Sequence, residues 1–332
     1  MEPSGSGRRS GRRRARRARR PRRRTLLATA LAVVAVGGVT AGGTVYVNTR
    51  THSGGRAGAV SSAAAPPASS PAAAGEEASV EPATRSSPPA ADRDALLAEA
   101  MARVTVPSGA RVSVAVLDLD SGDRAVHGDD AFDTASIVKV DILAALLLQA
   151  EDAGRRLTAA ERAYATKMIE NSDNASATAL WHAIGRADGL DAANRRFGLT
   201  STSGGDGELW GLTQTTAADQ LVLLRQVFGE DSLLGAASRR YVQGLMKGVE
   251  ADQRWGVPAA ATGASRACAL KNGWLPRSTT GLWDVNSIGR VTADGTDYLV
   301  AVLSEGTAEL ARGIALVEAV ARAAVTGFAS AS

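Results

Sequence analysis

Ser136-Ile137-Val138-Lys139-Val140-Asp141-Ile142-Leu143-Ala144-Ala145-Leu146-Leu147-Leu148-Gln149-Ala150 is the stretch on which the reading turns. Residues 137–150 are apolar almost all round, the pattern of a helix buried inside a domain and not one lying on its surface. At its start a serine and a lysine stand three apart, on one face and one turn from each other. Burial and the positive end of the helix dipole both disfavour an ammonium there. A neutral Lys139 takes the proton from the Ser136 hydroxyl, the activation that a weak nucleophile requires. Composition sharpens the point. The chain holds 34 Arg and only four Lys, at positions 139, 167, 247 and 271. Arg keeps its proton in a protein and a buried Lys can lose it, so a Lys kept against such a bias is a candidate amine. For Lys167 and Lys247 chance retention is the reading.

Two further motifs lie downstream. Ser172-Asp173-Asn174 opens a helical segment, where its residue types serve equally as an N-cap cluster. Lys271-Asn272-Gly273 lies inside an apolar strand, where a Lys followed by Gly makes poor packing but suits close approach of a ligand to the strand. In this order the three motifs resemble the class A β-lactamases and penicillin-binding proteins, whose signature is Ser-x-x-Lys, Ser-Asp-Asn and Lys-Thr-Gly. The resemblance spans roughly residues 92–328. It implies that Ser136 is the acylated nucleophile, Lys139 its base, and Ser172 the relay of a proton to the leaving nitrogen. Asn174 would hold the substrate's side-chain amide, Asp173 brace the loop, and Lys271 attract the substrate carboxylate. The N–H groups of Ser136 and of Trp274, after Gly273, would form the oxyanion hole. The implied substrates are β-lactams or the D-Ala-D-Ala-type peptides they mimic, and the implied chemistry needs neither metal nor organic cofactor.

Three departures qualify the resemblance. Asn272 stands where the family has Thr or Ser, so an amide would have to donate to the substrate carboxylate. Ser136 and Ser172 are only 36 residues apart, which implies a reduced helical subdomain. The Glu-x-x-Leu-Asn stretch that carries the class A deacylating Glu is missing. In its place the chain reads Ser201-Thr202-Ser203-Gly204-Gly205-Asp206-Gly207-Glu208-Leu209-Trp210-Gly211, where Glu208 is the nearest candidate base. Trp210, Trp255, Trp274 and Trp283 are candidates to line a cleft, with at least two of them expected in packing roles. Cys268, at odd spacing from Lys271, is expected to be an inert buried thiol on the opposite strand face. A Ser-His-Asp hydrolase is a poor fit, because no Gly-x-Ser-x-Gly elbow occurs and His52, His127 and His182 sit in no motif.

Outward from these motifs, the expected elements are a helix over 92–104, strands over 111–118 and 124–127 about the Ser121-Gly122-Asp123 turn, and a helix opened by the Thr158-Ala159-Ala160-Glu161 capping box. Helices follow over 175–184 and 217–228, strands over 268–274, 284–291 and 298–304, and a closing helix over 307–325 with Leu310, Ile314, Val317 and Ala321 on one face. The order gives an α/β sandwich, a mostly antiparallel sheet flanked by helices. A monomer is expected.

The segment before residue 92 reads differently. Twelve Arg between Arg8 and Arg24 give the tail a charge of +11, and with the whole chain at +4 everything after it sums to −7. The basic isoelectric point therefore belongs to the tail, and the mildly acidic body is no nucleic-acid-binding surface. Residues 25–49 carry no charge, enough to span a bilayer as a helix. The reading is a cytoplasmic basic tail over 1–24 and a signal anchor or signal peptide over 25–47, with the body outside. Cleavage after Val39-Thr40-Ala41 would release it. Arg23-Arg24-Thr25-Leu26-Leu27 loosely resembles a twin-arginine export signal. Residues 48–91, rich in Ala, Pro and Ser, read as a flexible spacer, leaving 92–332 as one catalytic domain.

Overall fold

The computed structural model describes residues 92–263 and 267–329. The expected basic tail, membrane segment and spacer lie outside these residues. Among the described residues no helix is long and apolar enough to cross a membrane.

Helix α1 (Arg93–Met101) is capped by Asp92, whose side chain accepts from the Ala95 N–H. Strands β1 (Arg111–Asp118) and β2 (Arg124–His127) form the hairpin expected from the alternating valines and the Gly122 turn. A short strand β3 (Phe132–Asp133) leads into a 3-10 turn (Ala135–Ile137) and then helix α2 (Val138–Asp152). Helices α3 (Ala159–Glu170), α4 (Asn174–Ile184) and α5 (Arg186–Phe197) follow, then β4 (Gln214–Thr215), α6 (Ala217–Phe228) and α7 (Ala236–Lys247). The chain closes with β5 (Cys268–Pro276), β6 (Trp283–Ala293), β7 (Thr296–Glu305) and α8 (Leu310–Ala329).

Five strands form an antiparallel sheet in the order β2-β1-β7-β6-β5, and β3 pairs with β4 in a separate two-stranded ribbon. Both α6 and α8 lie against β1, β6 and β7. Strands β1 and β7 are buried on both faces, so they read as near-continuous apolar runs rather than alternating ones. This is the helix-flanked antiparallel sandwich expected. Helix α2 is the axis of the helical side: every residue from Val138 to Leu148 is buried, against α3, α4, α5 and α7. Fully buried Ile142, Leu143 and Leu146 each contribute on the order of 1.5–3 kcal/mol relative to exposure. Two polar groups, Lys139 and Asp141, are carried into this apolar helix with them.

The capping box at Thr158 is present in both directions: Glu161 N–H to Thr158 Oγ1 at 3.1 Å and Thr158 N–H to Glu161 Oε2 at 2.7 Å. The sequence reading missed α5 and α7. Gly189 weakens the helical pattern of α5 in the sequence, yet the helix runs through it, at a point where a Cβ would strike the Ile184 carbonyl, and α7 buries only Val242, Leu245 and Met246. The last helix begins at Leu310, later than expected, because Thr307 is bridged to Trp283. Its buried stripe runs through Leu316, Val317, Val320, Ala321 and Ala324, while Leu310 and Ile314 are only partly covered, so the face is turned from the one expected. Cys268 is half-buried against the core, more open than expected.

Candidate active site

Ser136 lies in the 3-10 turn that feeds α2, and it is half-buried. The residue before it, Ala135, has φ of 48°, a left-handed conformation that non-glycine residues rarely adopt. Holding it costs on the order of 1–3 kcal/mol, which the surrounding packing must supply. Ser172 is held the same way, with φ of 56°. Two of the four left-handed non-glycine residues among those described thus fall at the two serine motifs. The Ser136 hydroxyl makes no hydrogen bond to another described residue.

Beneath it the two lysines meet. Lys139 Nζ, fully buried, donates to the Ser172 carbonyl at 2.6 Å, to Ser172 Oγ at 3.1 Å and to Asn174 Oδ1 at 2.8 Å. Lys271 Nζ, also fully buried, donates to the same Ser172 Oγ at 3.0 Å and to the Asn272 carbonyl at 2.8 Å. The structure therefore brings Lys139, Ser172, Asn174 and Lys271 together from α2, the α3–α4 turn and β5. It does not join Lys139 to Ser136 directly. In the resting structure the amine donates to the oxygens of Ser172 and to Asn174 rather than to Ser136.

Burial lowers Lys139 to about 7, with the Asp173 carboxylate pulling the other way. Burial pushes Lys271 well below its ordinary value too, and the neighbouring Lys139 adds to this. Asp173 keeps a structural place: it caps α4, accepting the Ser176 N–H at 2.7 Å, and its hydrogen bonds to Ser176 hold its carboxyl below the usual value.

Strand β5 is an edge strand, and it runs beside the nucleophile turn. A Cβ at Gly273 would stand 2.7 Å from Ser136 N, 2.7 Å from the Thr134 carbonyl and 2.9 Å from Ile137 N. Only glycine permits this approach of β5 to the nucleophile turn. Trp274 is half-exposed and tilts against Trp255, ring centroids 5.9 Å apart. Asn272 is a correction. Its side chain is fully buried, and its amide donates to the carbonyls of Gln253 at 2.7 Å and Trp255 at 2.9 Å. Those donors hold the loop before β5 and are not free for a substrate carboxylate.

The loop between α5 and β4 forms the opposite wall. Asp219 anchors it through Ser201 N–H and the Thr202 hydroxyl, and Asp191 anchors it through Gly204 N–H. Glu208, the candidate deacylation base, is half-exposed at the rim of the cavity between this loop and the exit of β5. Its carboxylate meets His182 Nε2 at 2.7 Å and Arg186 at 3.1 Å, two side chains that outcompete the interior for it. The residue of this loop that faces Lys139 is Trp210. Lys139 Nζ lies 5.0 Å from the Trp210 ring centroid, and the indole N–H donates to Thr178 Oγ1 at 3.1 Å. Sequence reasoning singled out Trp210 as one of four tryptophans; its seat on the lysine has no sequence signal beyond its position three residues before Thr213. Between this loop and the exit of β5 opens a cavity of ≈ 530 Å³, lined by Thr178, Leu209, Trp210, Leu212, Leu275 and Arg277. No cluster of three or more metal-ligating side chains occurs among the described residues.

The model of a family described as the β-lactamase enzyme family matches residues 96–162 and 154–328. No match is found among curated protein sequences. Among solved structures, the chain is similar to PBP-A, at 21% identity and a TM-score of 0.61 over 71% of this chain and 96% of that one. A PBP-A variant captured as an acyl-enzyme with penicillin G gives 22% identity and a TM-score of 0.59, over 71% and 97%. A variant of the last common ancestor of Gram-negative bacteria β-lactamase class A gives 26% and 0.58, over 72% and 99%. With a family model spanning the sheet, the helical side and all three motifs, the chain belongs to the β-lactamase enzyme family of serine hydrolases, which work through an acyl-enzyme.

Proposed function

We propose that the protein is an exported acyl-serine enzyme that reacts with β-lactams, or with the D-Ala-D-Ala-type peptides they mimic, and releases the acyl group slowly. The observation that carries this reading is the meeting of Lys139 and Lys271 at the Ser172 hydroxyl, with the Trp210 ring over Lys139 where a deacylation base was expected. Neutral Lys139 accepts the Ser136 proton as Oγ attacks the carbonyl. The backbone N–H groups of Ser136 and Trp274 receive the negative oxygen. Lys139 passes its proton through Ser172 Oγ, 3.1 Å away, to the departing nitrogen, and an ester on Ser136 results. Lys271 holds Ser172 in the line of transfer and offers its charge to the substrate carboxylate. Asn174 gives its carbonyl to Lys139 and keeps its exposed NH2 for the acyl side-chain amide.

Hydrolysis of the ester needs a second base for water. From the loop that would supply it comes Trp210, over Lys139, while Glu208 is committed to His182 and Arg186. The same feature favours a second reading, a slow β-lactam or wall-fragment receptor that stays acylated, or a penicillin-binding D,D-peptidase. The penicillin G acyl-enzyme of the PBP-A variant supports acylation by this fold. The charge-free stretch after the Arg tail supports export and a membrane tether.

Mass spectrometry of the protein with a penicillin, followed over time, tests the reading. The expected result is one adduct on Ser136 that outlasts many minutes, and Glu208→Gln leaves its lifetime unchanged. Rapid turnover with no detectable adduct would overturn slow release; no adduct and no turnover would overturn the substrate class.

A further inference from the structure

Asp133, three residues before the nucleophile, is nearly buried and sits where three walls of the site meet. From the exit of β5, Arg277 Nη1 pairs with its Oδ2. From the loop carrying Trp210, Gln214 Nε2 donates to its Oδ1. The backbone on either side is held as well. Asn286 Nδ2, on β6, donates to the Asp133 carbonyl at 2.8 Å and the Thr134 carbonyl at 3.1 Å, and Asn286 Oδ1 accepts the Ser304 N–H at 3.0 Å. Thr134 N–H donates to the Thr213 carbonyl at 2.9 Å. One carboxylate thus ties together the segment entering Ser136, the strand that bears Trp274 and the loop that bears Trp210.

The arrangement has a cost that packing alone does not require. Arg277 also lies 3.8 Å from Asp284, whose Oδ2 is buried without a hydrogen-bond partner. Two buried carboxylates compete for one guanidinium, and Arg277 takes Asp133. Arg277 Nη1 thus stands between the nucleophile turn and β6, nearer to Asp133 than to Asp284. The Gly273 contact shows how little room the two walls have, and the left-handed Ala135 shows that the turn is under strain that something must hold.

We propose that Asp133 is a positioning residue that sets the separation between the Ser136 turn and the exit of β5, and so the shape of the oxyanion site, through Arg277 and Gln214. It touches no substrate. Its effect falls on the acylation step and not on the initial docking, because the oxyanion develops only in the transition state. The inference rests on the acyl-serine reading above.

The test is a double-mutant cycle of Asp133→Asn and Arg277→Gln, with the acylation rate constant and the prior dissociation constant for a fluorescent penicillin measured separately. Hydrogen exchange of residues 132–137, 209–215 and 272–277 is followed in the same proteins without ligand. Each single variant should acylate about tenfold or more slowly, since misplacement of about 1 Å can cost some 10²-fold. Asp133→Asn, at a position off the cavity lining, should leave the dissociation constant little changed. The double variant should be no slower than the worse single, and exchange should quicken in all three segments. Acylation at the wild-type rate, effects that multiply, or a loss confined to the dissociation constant would overturn the proposal. So would unaltered exchange. Quickened exchange in variants of a protein that penicillin never acylates would keep the clamp and overturn the substrate reading instead. Arg277 is one-third exposed, so its variant keeps the test standing should Asp133→Asn fail to fold.

Discussion

Replacing Gly273 by Ala isolates the contact between β5 and the nucleophile turn. The new Cβ would lie 2.7 Å from both Ser136 N and the Thr134 carbonyl, against an ordinary contact of 3.4–4 Å. The strand must then retreat by about 0.7–1 Å, because the atoms it meets are backbone and cannot rotate aside. Gly273 does not use a left-handed conformation, so Ala brings no backbone strain, and in a strand it loses less conformational entropy than Gly. The damage is therefore local. A retreat of this size takes the Trp274 N–H off the developing oxyanion, and removal of one such donor costs about 10²–10³ in rate. Gly273→Ala should acylate about 10²-fold more slowly, with thermal stability lowered by no more than the ~1–3 kcal/mol that such crowding costs. The assay is the second-order rate of labelling by a fluorescent penicillin beside a melting curve. A variant that labels within about threefold of wild type would refute the argument, since it would show either that the walls have slack or that the Trp274 N–H takes no part.

The base assignment predicts a pH limb. Lys139 is lowered to about 7 by burial, its ammonium cannot accept a proton, and so acylation should rise with pH through about 7 and level off above it; a flat profile would exclude Lys139 as base. Lys139→Arg should lose about 10²–10⁴ in acylation rate at every pH, because Arg does not give up its proton. Trp210→Ala admits water to Lys139, weakens the desolvation and should move that limb to higher pH, which the same profile measures. Asp141, fully buried with one hydrogen bond from Asn194 at 3.1 Å, is raised by burial to about 7 from an ordinary 3.8. The folded state then holds a proton that the unfolded chain releases, so stability should fall as pH rises from about 4 to 7. Asp141→Asn should flatten that slope and raise Tm at pH 8, which melting curves across this range decide.

What could be read from the sequence was whatever is carried by residue type at fixed spacing. The apolar run after Ser136, the valines of β1 and the Thr158 capping box are local, and local physics places them. Lys139 and Lys271 stood out because each motif breaks packing logic, a lysine in a buried helix and a lysine before a glycine in a core strand. Ser172 and Asn174 read locally as a helix cap and were singled out only by the resemblance; the four do meet in the structure. The side-chain directions were not legible. Asn272 looked like a donor to substrate because its neighbours are functional, but the carbonyls of Gln253 and Trp255 lie on its own side and claim it. Glu208 looked like the base because it was the nearest acid in the loop. Its direction is set by His182 and Arg186, residues of α4 and α5 more than twenty positions away. Strands β3 and β4 are two residues each, too short for any period, although they position Asp133 and Gln214.

The site's electrostatics follow from one economy of placement. Two buried lysines share a single hydroxyl, and among the groups that influence Lys139 only the half-exposed Asp173 offers negative charge. Two ammonium ions at that distance in a dry interior repel strongly, so at least one amine is neutral in the resting protein. Lys139 is the one that chemistry needs neutral, and a substrate carboxylate arriving near Lys271 would favour the charged form of Lys271 and thereby the neutral form of Lys139. Binding and activation are thus coupled through Ser172, which can accept from either amine and donate to a leaving nitrogen. Trp210 bears on both steps of the proposed reaction: its ring can attract a cation but cannot take a proton from water, so on that reading it tolerates Lys139 as it gains the Ser136 proton and offers no base for hydrolysis. On the proposed reading, slow clearance of the ester traces to the side chain that the α5–β4 loop lays over Lys139.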